Sequence, residues 1–144
     1  MNNVRDHTAE ALIATNSKGY SVSLDISGKP IAQGRHRLRQ IANCQWFYNP
    51  SGRASDGLAT KIGRALQEAG VFLGGLPLFS SLVMVRLTFG VRNMSKDLDN
   101  MIKFILDTLQ FATIFGNDRL ICKIVAEKVL ATATGFTNIE VLQV

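Results

Sequence analysis

Residues 82–111 read LVMVRLTFGVRNMSKDLDNMIKFILDTLQF, and this stretch decides the fold. Residues 82–91 are rich in Val, Leu, Met and Phe, which is typical of a buried strand. A short polar loop follows over residues 92–96. From about Asp97 to Phe111 the apolar residues recur at the spacing of one helix face: Leu98, Met101, Ile102, Ile105, Leu106 and Leu109. The stretch therefore predicts a strand, a loop and an amphipathic helix in succession.

Weaker patterns on both sides of this stretch predict the remaining elements. Upstream, residues 20–26 (YSVSLDI) alternate as a half-buried strand does, and a helix is expected from about Asp56 to Ala69. Downstream, residues 120–128 and 139–144 are expected to be strands. The order β-α-β-α-β-β indicates an α+β fold. We expect a single small domain with a mixed sheet of about four strands and two main helices.

The N-terminal region and the cysteines bear on domain limits and location. Residues 1–19 are polar, and we expect a flexible extension there, before a folded domain over residues 20–144. Acidic residues in that region disfavour a secretory or organelle-targeting peptide. Cys44 and Cys122 are too far apart for a zinc ribbon and too few for a disulfide scaffold. We therefore expect reduced thiols and a cytoplasmic protein that is not secreted.

The charge of the chain suggests what kind of partner it has. The formal net charge is +5, which favours an anionic partner such as nucleic acid or an acidic membrane surface. Residues 69–85 carry no charge, but they include three glycines and Pro77. This stretch is also shorter than the usual membrane span of about 20 residues. We therefore expect no membrane partner.

Two carboxylates, Asp97 and Asp99, open the second predicted helix, where backbone N–H groups are unpaired and the helix dipole is positive. Helix rules alone favour an ordinary role, with Asp97 as the N-cap and Asp99 on a solvated first turn. Lys103 lies four residues after Asp99, so a surface ion pair is its plain alternative role. The competing interpretation is a functional site, because the side chain of Asp97 can reach towards the same point as Asp99.

A third carboxylate, Asp118, follows the turn at Gly116 and Asn117 and begins a predicted strand. If that strand lies beside the start of the helix, the three carboxylates converge. Such a cluster is costly unless a hard cation neutralises it. Mg²⁺ suits it, because Mg²⁺ binds carboxylate oxygens and keeps waters for a substrate phosphate. On that condition the sequence predicts a metal site.

This pattern resembles the RusA-like family of Holliday-junction resolvases, also called crossover junction endodeoxyribonucleases. The most specific part is D-L-D-N at residues 97–100, followed by Lys103 and then by Asp118 after a short turn. The resemblance covers roughly residues 20–144. Further matches are Asp107-Thr108-Leu109 on the same helix, Lys128 in the next strand, Gly28-Lys29-Pro30, and Gly34-Arg35-His36-Arg37.

The resemblance implies a Mg²⁺-dependent, structure-selective DNA endonuclease that resolves four-way junctions by paired nicks in recombination and repair. It implies a homodimer acting on branched DNA, with Mn²⁺ as a possible substitute metal. The implied metal ligands are Asp97, Asp99 and Asp118, which together with Lys103 form the catalytic set. The basic residues expected to contact DNA are Lys29, Arg35, Arg37, Arg39, Lys96 and Lys128.

Two other functions remain open. The sequence departs from the family at Asn117, where a second acid is common, at Leu120, where Gln is usual, and at His36, where proline is usual. These departures motivate a catalytically inactive module that still binds branched DNA. A plainer alternative is an α+β interaction protein with no nucleic-acid role. In a homodimer, the uncharged run at residues 71–78 is a candidate for apolar interface surface.

Overall fold

The computed structural model describes residues 4–33, 37–41, 44–48 and 52–144. These residues form two helices, α1 (Gly52–Glu68) and α2 (Leu98–Phe111). They also form seven strands: β1 (Thr8–Asn16), β2 (Gly19–Ser27), β3 (Arg37–Ile41), β4 (Cys44–Tyr48), β5 (Val83–Val91), β6 (Ile121–Leu130) and β7 (Phe136–Gln143). Helix α1 begins earlier than the sequence predicts. Ser55, which stands just before the expected start at Asp56, is a buried residue inside the helix.

Five of the strands form one mixed sheet in the order β1-β2-β7-β5-β6, and β3 pairs with β4 in a separate hairpin. Strands β5 and β6 are parallel, and the other neighbours in the large sheet are antiparallel. The predicted α+β class is therefore confirmed. The strand that makes the sheet larger than predicted is β1.

Strand β1 is the main difference from the sequence prediction, which placed residues 1–19 in a flexible extension. Residues Thr8–Asn16 instead pair along their whole length with β2, from Thr8 opposite Ser27 to Asn16 opposite Gly19. Ala9, Ala11 and Ile13 pack against the core, while the residues between them face outwards. Inward and outward side chains do alternate along β1, but two of the three inward residues are alanines. The sequence therefore gives only a weak hydrophobic signal for a strand here.

One face of the large sheet carries the core. Rows of buried side chains cross three neighbouring strands, with Val22, Val141 and Val85 forming one such row. The opposite face is polar, where Arg86 of β5 pairs with Glu140 of β7 at 3.8 Å. Buried residues of α1 and α2, which pack together, complete the apolar layer. In the described ranges, neither helix is long and apolar enough to cross a membrane.

Candidate metal and nucleic-acid site

Asp97 stands immediately before α2, in an extended conformation with φ −71° and ψ 129°. Aspartate at this position usually accepts a hydrogen bond from a first-turn N–H group. Here its carboxylate makes no such bond, and instead the side-chain amide of Asn100 approaches it at 3.4 Å. The ordinary capping role is therefore not realised. The exposed carboxylate of Asp97 is available to an external cation.

Asp99 lies in the first turn of α2 and is also exposed. Its carboxylate accepts the backbone N–H of Asn100 at 2.9 Å. Asn100 thus contacts both carboxylates, and both lie at the positive end of the helix. In the described part of the chain Lys103 forms no ion pair with Asp99, so its exposed amine is not engaged by that carboxylate.

Asp118 lies at the opposite end of the sheet. It begins a short 3-10 turn that leads into β6, and the first residue of β6, Ile121, pairs with Val83 at the start of β5. Asp97 instead follows the end of β5. Helix α2, which connects the two ends, has 14 residues and is therefore about 21 Å long. The described residues contain no group of three or more His, Cys, Asp or Glu side chains that could hold a metal.

The expected convergence of three carboxylates thus does not occur within one chain. The reason is topological, because β5 and β6 are parallel and α2 returns the chain along the full length of the strands. The end of β6, not its start, lies beside the head of α2. Within one chain the structure brings Asp97 and Asp99 together and leaves Asp118 apart from them.

Asn117, which replaces an acid common in the resembling family, has a local structural role. Its side-chain oxygen accepts the backbone N–H of Arg119 at 2.8 Å and the Arg119 Nε–H at 3.4 Å. It therefore caps the 3-10 turn that begins at Asp118. The neighbouring Asp118 side chain is exposed.

Three of the predicted DNA-contacting residues lie at the same end of the sheet as Asp97 and Asp99. Lys128, near the end of β6, donates to the carbonyl oxygens of Met94 and Lys96 at 3.1 and 2.8 Å and so holds the loop before α2. Lys96 donates to the carbonyl oxygen of Pro30. Burial, with a smaller contribution from the nearby charge of Lys29, lowers the pKa of the Lys96 amine.

Lys29 and Lys96 border a cleft of about 800 Å³ between the segment after β2 and the loop after β5. We call it the basic cleft; its lining includes Lys29, Arg92 and Lys96. None of these three forms an ion pair with an acidic side chain in the described ranges. Unpaired cations around a partly enclosed space favour a bound anion, such as a phosphate group.

The wall that carries Lys29 is a segment we call the strap, residues 28–33. At its start, Nε2 of His7 donates to the carbonyl oxygen of Lys29 at 2.8 Å. At its end, the backbone N–H of Gln33 donates to the carbonyl oxygen of Asn100 at 2.9 Å. The buried side-chain amide of Gln33 also donates to the Asp107 carboxylate at 3.0 Å. The strap therefore has an anchor at each end.

The sequence did not predict how the segment before β1 is held. Lys61 of α1 donates to the carbonyl oxygens of Val4, Arg5 and His7, which ties the segment before β1 to the helix. His7 is itself buried. No residue pattern in the sequence links His7 to the strap, because the contact depends on β1 pairing beside β2.

The remaining predicted DNA contacts lie in the less described part of the chain. Arg35 falls outside the described residues. Arg37 and Arg39 belong to β3, whose backbone pairs with β4. Contacts between these three arginines and phosphate stay predictions.

A comparison with models of protein families gives one assignment. The family described as Endodeoxyribonuclease RusA matches residues 27–141. The matched region includes the strap, the three cations of the basic cleft, the two carboxylates at the head of α2 and Asp118. A comparison with curated proteins gave no match.

Proposed function

The chain belongs to the endodeoxyribonuclease RusA family, and on that premise we propose that it is a Mg²⁺-dependent enzyme that resolves four-way DNA junctions by paired nicks. The observation that carries the proposal is the pair of exposed carboxylates at the head of α2, where Asp97 leaves its capping role unfilled. The adjoining basic cleft supplies the phosphate-binding surface that a nuclease requires. Such an activity serves DNA recombination and repair. The enzyme would act on DNA in the cytoplasm of its host.

The residues at the head of α2 fit a hard divalent cation. Mg²⁺ is commonly held by one or two carboxylates, with water and substrate phosphate completing its coordination. Asp97 and Asp99 supply such a pair of oxygen donors, and Mn²⁺ accepts the same donor type. When bound, the ion supplies Lewis acidity towards a phosphoryl oxygen and lowers the pKa of a bound water.

The protein's own cations would position and neutralise the DNA. Lys103 lies one turn further along α2 than Asp99, about 6 Å along the helix axis. From there its unengaged amine can stabilise the negative charge that develops on the scissile phosphate. Lys29 and Lys96 in the basic cleft bind flanking phosphates, which fixes the strand but reads no sequence.

A second copy of the chain would supply Asp118 to the metal site. Since one chain separates Asp118 from Asp97 and Asp99, a site with all three carboxylates requires Asp118 from another copy. A twofold-symmetric homodimer would build two such sites. Two sites related by a twofold axis are also what paired, symmetric nicks need.

The direct test is cleavage of a synthetic four-way junction with titrated Mg²⁺, comparing wild type with Asp99→Asn. We expect the wild type to nick two opposing strands and the variant to bind the junction without cutting it. Asp56→Asn, which removes an exposed carboxylate on α1, is the matched control and should cut normally. If wild type binds the junction but cuts no branched or duplex DNA with Mg²⁺ or Mn²⁺, the chain is the inactive DNA-binding module instead.

A further inference from the structure

The loop between β5 and α2, residues 92–96, leads the chain directly into Asp97. Among the described residues, two lysine amines make all the hydrogen bonds that join this loop to other segments. Lys96, within the loop, donates to the carbonyl oxygen of Pro30 in the strap. Lys128 of β6 donates to two carbonyl oxygens of the loop. The placement of Asp97 therefore depends on few contacts from outside α2.

Lys128 reaches the loop from the core-facing side of β6. It pairs with Phe89 of β5, which is fully buried, and directly paired residues of neighbouring strands face the same side of the sheet. A lysine amine has three donors and no acceptor. The amine of half-buried Lys128 uses two of them on the carbonyl oxygens of Met94, at 3.1 Å, and of Lys96, at 2.8 Å. The amine is thus engaged by the loop.

We propose that Lys128 is a positioning residue of the metal site and not a contact to DNA. The carbonyl group of Lys96 and the N–H group of Asp97 belong to one planar peptide unit. By holding that carbonyl oxygen, Lys128 fixes the plane from which Asp97 extends. The inference rests on the proposed function, because that function assigns a divalent cation to Asp97 and Asp99.

Asp97 needs support from its backbone because its side chain has little of its own. Its carboxylate makes no capping bond, and the amide of Asn100 approaches it only at 3.4 Å. Metal ligands are normally oriented by groups that do not touch the metal, and loss of such a group typically costs about 10–100-fold in metal affinity or activity. At Asp97 the two bonds from Lys128 supply this orientation through the main chain.

A phosphate contact and a positioning role predict different measurements. Removal of a phosphate contact lowers the slope of log DNA affinity against log salt by about 1. Removal of a positioning residue leaves that slope unchanged and weakens metal binding instead. The slope is measured on a four-way junction in EDTA, where no metal is bound. Metal affinity is measured without DNA, as Mn²⁺ binding followed by electron paramagnetic resonance.

Lys128→Met removes the donors and the charge but keeps an unbranched side chain. We expect Mn²⁺ binding weaker by about tenfold or more, with an unchanged salt slope. Lys128→Arg keeps donors for both carbonyl oxygens and should lose less Mn²⁺ affinity than Lys128→Met. Lys18→Met, the same substitution at an exposed turn between β1 and β2, is the matched control and should change neither quantity. If Lys128→Met does not fold, Lys128→Gln takes its place with the same expectations.

Two results would overturn the positioning role. One is a folded variant that binds Mn²⁺ as tightly as wild type does. The other is a salt slope lowered by about 1, which would make Lys128 a phosphate contact. In both cases a wild type that binds Mn²⁺ and cuts junctions would leave the proposed function standing. A wild type that binds no Mn²⁺ would instead overturn the metal site itself, and the role of Lys128 with it.

Discussion

The buried side-chain amide of Gln33 donates to the carboxylate of Asp107 at 3.0 Å, which fastens the end of the strap to α2. The backbone of Gln33 also bonds to Asn100, the residue that contacts both Asp97 and Asp99. The basic cleft and the paired carboxylates are therefore built on one connected framework. Asp107, two helical turns from the proposed metal ligand Asp99, positions the strap.

Asp107→Ala should lower the free energy of unfolding by about 1–3 kcal/mol, because it leaves the buried amide of Gln33 without its partner. Urea unfolding followed by circular dichroism measures the change. Asp56→Ala on α1, an exposed position, is the control and should stay within about 0.5 kcal/mol of wild type. Equal stability of Asp107→Ala and wild type would show that the Gln33 contact does not hold the strap.

Gly28 allows the strap to pass close to His7. Its φ is +103°, and an added Cβ would lie 2.7 Å from the His7 ring. Gly28→Ala should therefore destabilise the protein and weaken DNA binding by displacing Lys29. Gly63→Ala is the matched control, since nothing lies within 4 Å of its added Cβ and it sits inside α1. That substitution should stabilise the protein by up to about 1 kcal/mol. Thermal unfolding of both variants measures the difference. A higher melting temperature for Gly28→Ala than for Gly63→Ala would contradict the role of Gly28 in the strap.

Lys29→Ala and Lys96→Ala should each weaken junction binding about equally for all sequences. Each should also reduce the slope of log affinity against log salt by about 1, as the loss of one phosphate contact does. Fluorescence anisotropy in EDTA measures binding without cleavage. Lys18→Ala, in the turn between β1 and β2, removes an exposed charge elsewhere and should leave the slope unchanged. Unaltered slopes for both cleft variants would mean that phosphate does not bind in the basic cleft.

Much of this framework could be predicted from sequence, because it depends on local patterns. The strand at β5, the helix at α2 and the placement of Asp97 and Asp99 at its head all follow from residue spacing within the 30 residues 82–111. Strand β1 is harder to predict from sequence than β5, because its inward side chains include the small residues Ala9 and Ala11. Its alternation shows clearly only when it is paired with β2.

The position of Asp118 could not be predicted because it depends on strand direction. The sequence places a strand after Asp118 but does not say whether that strand runs parallel or antiparallel to β5. Parallel pairing sends Asp118 to the far end of the sheet. The Gln33–Asp107 and His7–Lys29 contacts could not be predicted for a similar reason. Each joins residues that only the tertiary fold brings together.

We propose that a functional metal site takes Asp97 and Asp99 from one copy and Asp118 from another. Mixing two inactive variants, Asp99→Asn and Asp118→Asn, under conditions that exchange subunits tests it most directly, with nicking of a four-way junction as the readout. A mixed dimer holds one intact set of carboxylates, so the mixture should nick single strands while each variant alone does not. A mixture as inactive as its components, beside an active wild type that exchanges subunits, would contradict the shared site.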